Sequence, residues 1–539
     1  MTRHPRLRTR LALAAVAGSL LLSSCSSSGG EDDPPHDDSA SARDRLTPGL
    51  VGDQPDPGAP VGGGVLQFAD YGEIRSLSPA ASYATGASGG AALLAVYDSL
   101  MTLDTETQEF VPKLAEALES NADHSAWTLT LREGVRFSDG TPLDADAVVA
   151  SIEWYLDNQG VDTAMLAPNL GRMQVRDERT VVFRLRQSWA KFPSMLAQAA
   201  GMIVAPAAYA GKEFVPIGAG PFVFDSYQPS EELVLTANER YWDGAPRLDG
   251  LRFFWLQADE TRLDVLNEGR ADVAFMRDPE VVDQALEAGY AGHLTLTSLG
   301  NTIAINTREG YPGADPRVRR AIALAYDPEL DFERAYDGHG LPGKELFPPE
   351  SAWDTSDAAM DVDVEEATRL VEEAKADGFD GVVTYLDGAD PTSRTQAVAM
   401  KAMLERVGFT VETEAVTSVA DQTTRVFVDH DFDIARGAIS ASEADPYHRL
   451  VTDLSSTSFG NAGGYASPQM DALLAELQGA ADDEEIQSVL DRIQALWNED
   501  VPSVVTGASA ALHAWGEDVY GVTMAAEYMP DFADAWLAR

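Results

Sequence analysis

"VYDSLMTLDTETQEFVPKLAEALESNADHSAWTLTLREGVRFSDGTPLDADAV" runs from Val96 to Val148, and its reading sets the fold class. Within it, Trp127 to Phe137 (WTLTLREGVRF) alternates apolar and polar residues, the period of a half-buried antiparallel strand. Ahead of that strand, Ala91 to Leu100 (AALLAVYDSL) reads as a helix entering the core. Behind it, Asp139-Gly140-Thr141-Pro142 reads as a turn leading to a helix start. Asp144 to Gly160 then carries acids in its first turn, apolar residues at helical spacing and a glycine stop. Arg179 to Ser188 (RTVVFRLRQS) alternates again. Antiparallel strands and helices are therefore mixed in this region.

Farther along, Pro221 to Asn238 (PFVFDSYQPSEELVLTAN) reads as a hairpin turning at Gln228-Pro229-Ser230. Thr261 to Phe275 reads as a helix ending near Gly269, followed by a short buried strand. Beyond Asn301 the texture changes. Gly381 to Leu386 (GVVTYL) is a buried strand, Pro391 to Gly408 an amphipathic helix, and Phe409 to Val416 and Phe432 to Ile439 are further strands. Strand, helix, strand at this spacing implies parallel pairing through a right-handed crossover. The expected class is thus α/β, with mixed sheets flanked by helices. Val501 to Gly507 (VPSVVTG) adds a strand whose tail is too short to be a domain, so the chain is expected to return to its first half.

With 539 residues the chain has length for two or three domains with large cores. Its 45% hydrophobic and 23% charged content is ordinary for a globular protein, so composition excludes neither enzyme nor binding protein. Charge excludes more. A formal net charge of −48 repels nucleic acid and anionic headgroups, which argues against any nucleic-acid partner. Cys25 is the only cysteine, so no intramolecular disulfide exists and stability rests on packing.

The position of Cys25 gives it a use. Met1 to Arg10 holds four arginines and no acid, and an apolar run from Leu11 to Leu22 follows. That run has the length of a signal h-region and is short for a membrane span. Leu22-Ser23-Ser24-Cys25 resembles the lipobox of bacterial lipoproteins, which implies diacylglycerol on the Cys25 sulfur and cleavage before it. Ser26 to Gly64 is rich in Pro, Gly, Ser and Asp without an apolar period, and is expected to be a disordered stalk. His36 there reads as a solvated linker residue.

Four blocks in order resemble the family 5 extracellular solute-binding proteins, the peptide- and nickel-type receptors of ABC importers. They are Val96 to Val148, Gly218 to Gly244 (GAGPFVFDSYQPSEELVLTANERYWDG), Asn306 to Asp327 (NTREGYPGADPRVRRAIALAYD) and Ala444 to Leu474 (ADPYHRLVTDLSSTSFGNAGGYASPQMDALL). The resemblance implies a two-lobed periplasmic-binding-protein-like fold, with a hinge between the lobes and an extra subdomain on the first. Expected segments are a signal peptide over 1–24, the lipidated Cys25 and linker over 25–64, lobe 1 over 65–300, lobe 2 over 301–500, and a return to lobe 1 over 501–539. It further implies a monomer that binds a small solute, a peptide by family default. ABC permease and ATPase subunits are the implied partners, the membrane is reached through the lipid, and neither cofactor nor bond-making step is involved. Location follows as the outer face of the cell membrane, in the periplasmic or extracytoplasmic space.

Most of the family letters also have structural explanations. Arg317 and Arg319 open a helix and are expected to form ion pairs, while Tyr241, Trp242 and Trp255 read as lobe core. In the peptide receptors an aspartate three residues before the Asp-Pro pair holds the peptide ammonium. Here Asp445-Pro446 is the pair, and Ser442 stands at that place, with Ile439 three residues earlier. Glu443 is an alternative acid; the other account of Ser442 is a non-peptide solute, such as an oligosaccharide, an opine or a metal chelate. Metal itself is not expected, since the eight histidines are scattered and Glu443, Asp445 and His448 read as a turn and helix cap. Tyr83, Ser88, Arg436, Ser442, Glu443, Asp445 and Tyr465 are the expected ligand contacts. Gly86 to Gly90 (GASGG) matches the G-x-S-x-G elbow of serine hydrolases, but the residues before it do not read as a strand.

Overall fold

The computed structural model describes residues 45–539; the signal segment, Cys25 and the first part of the linker lie outside the described residues. Two long strands organise it. Ala291–Ile305 and Ser503–Trp515 pair antiparallel along nearly their whole length. At one end they continue through Val273–Met276, Val65–Asp70 and Gly250–Trp255 into the hairpin of Glu232–Ala237 and Phe222–Gln228. At the other end Ala291–Ile305 passes to Ile434–Gly437, Val382–Gly388 and Thr410–Val416. The register between the long strands slips between Thr297 and Thr302. Such a slip interrupts the ladder and bends it. Opposite, Gly507 has φ of 154°, and a Cβ there would lie 2.3 Å from the Leu341 carbonyl oxygen, so only glycine fits. The chain crosses between the two halves at this break.

In the first half Val65–Asp70 is flanked by two parallel partners, Gly250–Trp255 and Val273–Met276. Being covered on both faces, it reads as a nearly continuous buried run. Phe532 from the C-terminal tail packs edge-on to Phe68 at 5.9 Å between ring centroids, so the tail completes this core. A separate antiparallel sheet orders Ala115–Ser120, Ala126–Leu131, Thr180–Leu185 and Leu170–Asp177. Trp127, Leu129 and Leu131 form its buried face, as the alternation required. The helix Ala145–Asp157 packs beside it, and the Asp144 carboxylate accepts the Ala147 N–H at 2.9 Å as its N-cap.

The second half is built on parallel pairing of Thr410–Val416 with Val382–Gly388, and of the latter with Ile434–Gly437. The crossover helix Pro391–Arg406 is capped by Asp390 and buries Met400, Met403 and Leu404 in one cluster with Val383 and Val411. Each such side chain contributes about 1.5–3 kcal/mol through burial.

Residues 45–64 do not form a free linker. Gly49–Val51 pairs antiparallel with Gly292–Leu294, Leu46 is buried, and Arg45 forms an ion pair with Asp283. Gln54 also donates to the Val519 carbonyl at 2.7 Å. Composition missed this because a strand added to a sheet is held by backbone hydrogen bonds, which need no apolar period.

Several family letters are structural. Tyr241 and Trp242 both donate to the buried Asp98 carboxylate. Trp255 packs edge-on to Tyr227. Arg317 pairs with Asp315 and Asp377. Arg319 differs from expectation, since its donors go to the backbone carbonyls of Asp500 and Gly313.

Candidate functional site

Parallel strands on both sides of the crossing aim their C-terminal ends at one cleft of about 1370 Å³. Open α/β sheets bind ligands outside the carboxyl ends of their strands. From the first half, Tyr71 follows Val65–Asp70, and Arg277 and Asp278 follow Val273–Met276. From the second, Asp387 closes Val382–Gly388 and Arg436 lies in Ile434–Gly437. Thr297, Gly300, Asn301 and Ser509 of the long strands form the floor.

Arg436 dominates the second-half wall. Burial opposes its charge, but Tyr385, Tyr336, Asp387 and Tyr326 around it more than offset that and hold the guanidinium above its usual range. The surrounding acids already have partners: the Tyr385 hydroxyl donates to Asp387 at 2.7 Å, and the Tyr326 hydroxyl to Asp331 at 2.8 Å. Burial raises both carboxyls. Nη1 of Arg436 is buried without a hydrogen-bond partner. An arginine cannot shed its proton to escape that condition, so Nη1 is a donor awaiting an acceptor.

On the first-half wall the Arg277 guanidinium lies 4.1 Å from the Tyr71 ring centroid. Asp278 caps the helix Pro279–Glu287 and is raised by burial. Tyr465 lines the cleft, and its hydroxyl donates to Asp500.

The model of bacterial extracellular solute-binding proteins, family 5 middle, matches residues 109–461. The chain belongs to this family. The glutathione-binding protein GsiB of Escherichia coli K12 is 28% identical over 333 residues, covering 59% of this chain and 64% of GsiB; the match thus spans less than two thirds of that relative. Among solved structures, the periplasmic binding protein DppA of Helicobacter pylori in complex with peptide STSA is 22% identical, with a TM-score of 0.75, covering 89% of this chain and 99% of DppA. AgaA of Agrobacterium tumefaciens R10, in complex with agropinic acid, is also 22% identical, with a TM-score of 0.74, covering 88% and 99%. These likenesses establish the two-lobed fold of family 5.

Within this family 5 chain, the cleft takes in only part of the expected contacts. Arg436 and Tyr465 line it; Tyr83, Ser88, Ser442, Glu443 and Asp445 do not. Tyr83 is 51% exposed on a loop outside it. Ser88 shares a hydrogen bond with Thr85 at 2.8 Å, and no strand precedes it, so the hydrolase elbow is not formed. Glu443 is held by Ser298, Ser351 and the Ala352 N–H, at 2.7–3.0 Å. Asp445 accepts the Ser194 hydroxyl at 2.5 Å. Glu443 is therefore structural, and so is its neighbour Trp353, whose indole donates to the Glu443 carbonyl; Asp445 keeps Oδ1 buried without a partner, but away from the cleft. Among the described residues no group of three or more His, Cys, Asp or Glu converges as a metal site. Arg277, Asp387, Asp453 and Tyr528 line the cleft and were missed. For Arg277 and Asp387 the signal was present, since each is a charged residue directly at the end of a short buried strand.

Proposed function

We propose that this protein captures a small polar solute, with peptides first, between its two lobes outside the cytoplasm and delivers it to an ABC-type permease and its ATPase. The observation that carries the reading is the buried, unpartnered Nη1 of Arg436 in the cleft. A fixed guanidinium without an acceptor suits a carboxylate. The names of relatives support the same class, since GsiB is a glutathione-binding protein and DppA was solved with a peptide. The solute leaves chemically unchanged, and closure about the break in the long strands presents the loaded form.

A second reading is a non-peptide acid. AgaA with agropinic acid favours it, as does the segment Ser442–Asp445, which offers the cleft no acid. Isothermal titration with trialanine, its C-terminal amide, reduced glutathione and an opine separates the two. The peptide reading expects saturable binding of trialanine or glutathione, and loss of binding for the amide. Binding of the opine alone transfers the assignment to the second reading.

We also propose that Cys25 is lipidated and tethers the mature chain to the outer face of the membrane. Two or more acyl chains anchor stably, each buried methylene contributing about 0.8 kcal/mol. Cys25→Ser should release the protein into the soluble extracytoplasmic fraction; a variant that stays membrane-bound contradicts this.

A further inference from the structure

The helix Pro446–Leu454 has two ends with different duties. Its first turns are tied to residues far off in the chain. His448 Nε2 lies 3.3 Å from Asp162, His448 Nδ1 lies 3.9 Å from Glu527, and Arg449 donates to Glu527 at 2.8 Å. One turn farther on, Asp453 lines the cleft beside Leu454 and Tyr528. Among the described residues its carboxylate accepts no hydrogen bond and forms no ion pair; its charged neighbours are Arg449 and His448. Those two bases already face Asp162 and Glu527, so the cluster holds three carboxylates against two bases. Burial raises the Asp453 carboxyl to about 7, against the pull of Arg449 and His448.

Every other described acid of the cleft is differently placed. Asp259 holds Arg262 and the N–H groups of Arg277 and Asp278. Asp278 and Asp390 cap helices. Asp387 accepts from Tyr385 and Gly388. Glu260 is exposed to solvent. Asp278 also keeps one oxygen free, but its other oxygen is committed to the helix cap, whereas neither carboxylate oxygen of the half-buried Asp453 is engaged. A cation entering there exchanges water for a fixed counter-charge, which burial without a partner would penalise.

We infer that Asp453 receives the cationic nitrogen of the captured solute, making it a specificity-determining residue opposite in sign to Arg436. This rests on the solute-capture reading above and deepens it by giving the solute a positive end.

The test compares trialanine with N-acetyl-trialanine on the full chain and on Asp453→Asn. Wild type should bind trialanine about tenfold or more tighter than its acetylated form. Asp453→Asn should lose that preference while binding the acetylated form as wild type does. Wild-type binding indifferent to acetylation, a measurement that depends on no variant folding, overturns the role of Asp453 and leaves solute capture standing. So does an unchanged preference in Asp453→Asn. Failure of wild type to bind either compound removes the peptide reading and this inference together.

Discussion

Two arginines, one in each half of the large sheet, stand near the same cleft and have opposite fates. In the first half all three nitrogens of Arg262 are in use: Nε donates to the Phe275 carbonyl, Nη1 to the Leu256 carbonyl and Nη2 to Asp259. In the second half Arg436 keeps Nη1 buried without a partner. Arg262 is wholly buried and Arg436 half-buried, and each faces carboxylates, so burial and nearby charge alone do not mark function. What separates them is the accounting of donors. A satisfied arginine holds loops together, while an unsatisfied one in a cleft keeps a donor free for an acceptor.

The largest effect expected from breaking this comparison is on stability. Arg262→Met removes one member of a buried ion pair and frees two carbonyls, and should cost about 3–5 kcal/mol in urea unfolding. Arg436→Met should cost less than half of that, because Asp387 and Asp331 keep their tyrosine donors. It should instead weaken trialanine binding about a hundredfold. Equal stability losses in the two variants would erase the distinction.

His513 sharpens the point from another side. It is buried between Phe68 and Phe275, and burial pushes its imidazole down to about 3, with help from His293 on the neighbouring strand. Histidine, unlike arginine, meets burial by staying neutral. Its folded value lies below the 6.5 of the free side chain, so the unfolded chain takes up the proton first. Stability attributable to His513 is complete above about pH 6.5 and falls as pH drops toward 3, by at most about 1.4 kcal/mol per pH unit. His513→Leu should flatten that slope in unfolding measured from pH 7 to 4. An unchanged slope would assign the acid sensitivity elsewhere.

A smaller effect tests the acids. Glu443→Gln should cost about 1–2 kcal/mol by weakening its hydrogen bonds, with solute affinity unchanged. Any loss of affinity would return Glu443 to the site. The smallest effect belongs to Ser88→Ala, which should shift stability by about 0.5 kcal/mol and leave affinity unaltered; ester hydrolysis sensitive to this change would contradict the account.

The sequence made the fold legible where side-chain periodicity and capping act together. The alternation of Trp127, Leu129 and Leu131 marked one strand face, and the acids from Asp144 marked a helix start. It concealed Gly49–Val51, whose pairing is carried by the backbone. The site was legible only in part. Arg436 and Tyr465, among the residues expected to face the solute, do line the cleft. Glu443 and Asp445 misled, since a charged turn looks the same whether it faces a cleft or seals one. Asp453 was hidden because its meaning depends on Asp162 and Glu527, hundreds and tens of residues away, having already engaged His448 and Arg449.

The claim on which the rest depends is that the cleft holds a solute through Arg436. Native mass spectrometry of the purified full chain, wild type beside Arg436→Met, tests it directly. The account predicts wild type carrying a small solute with a carboxylate, and the variant emerging empty but folded. Wild type and variant carrying the same solute in the same amount would contradict it.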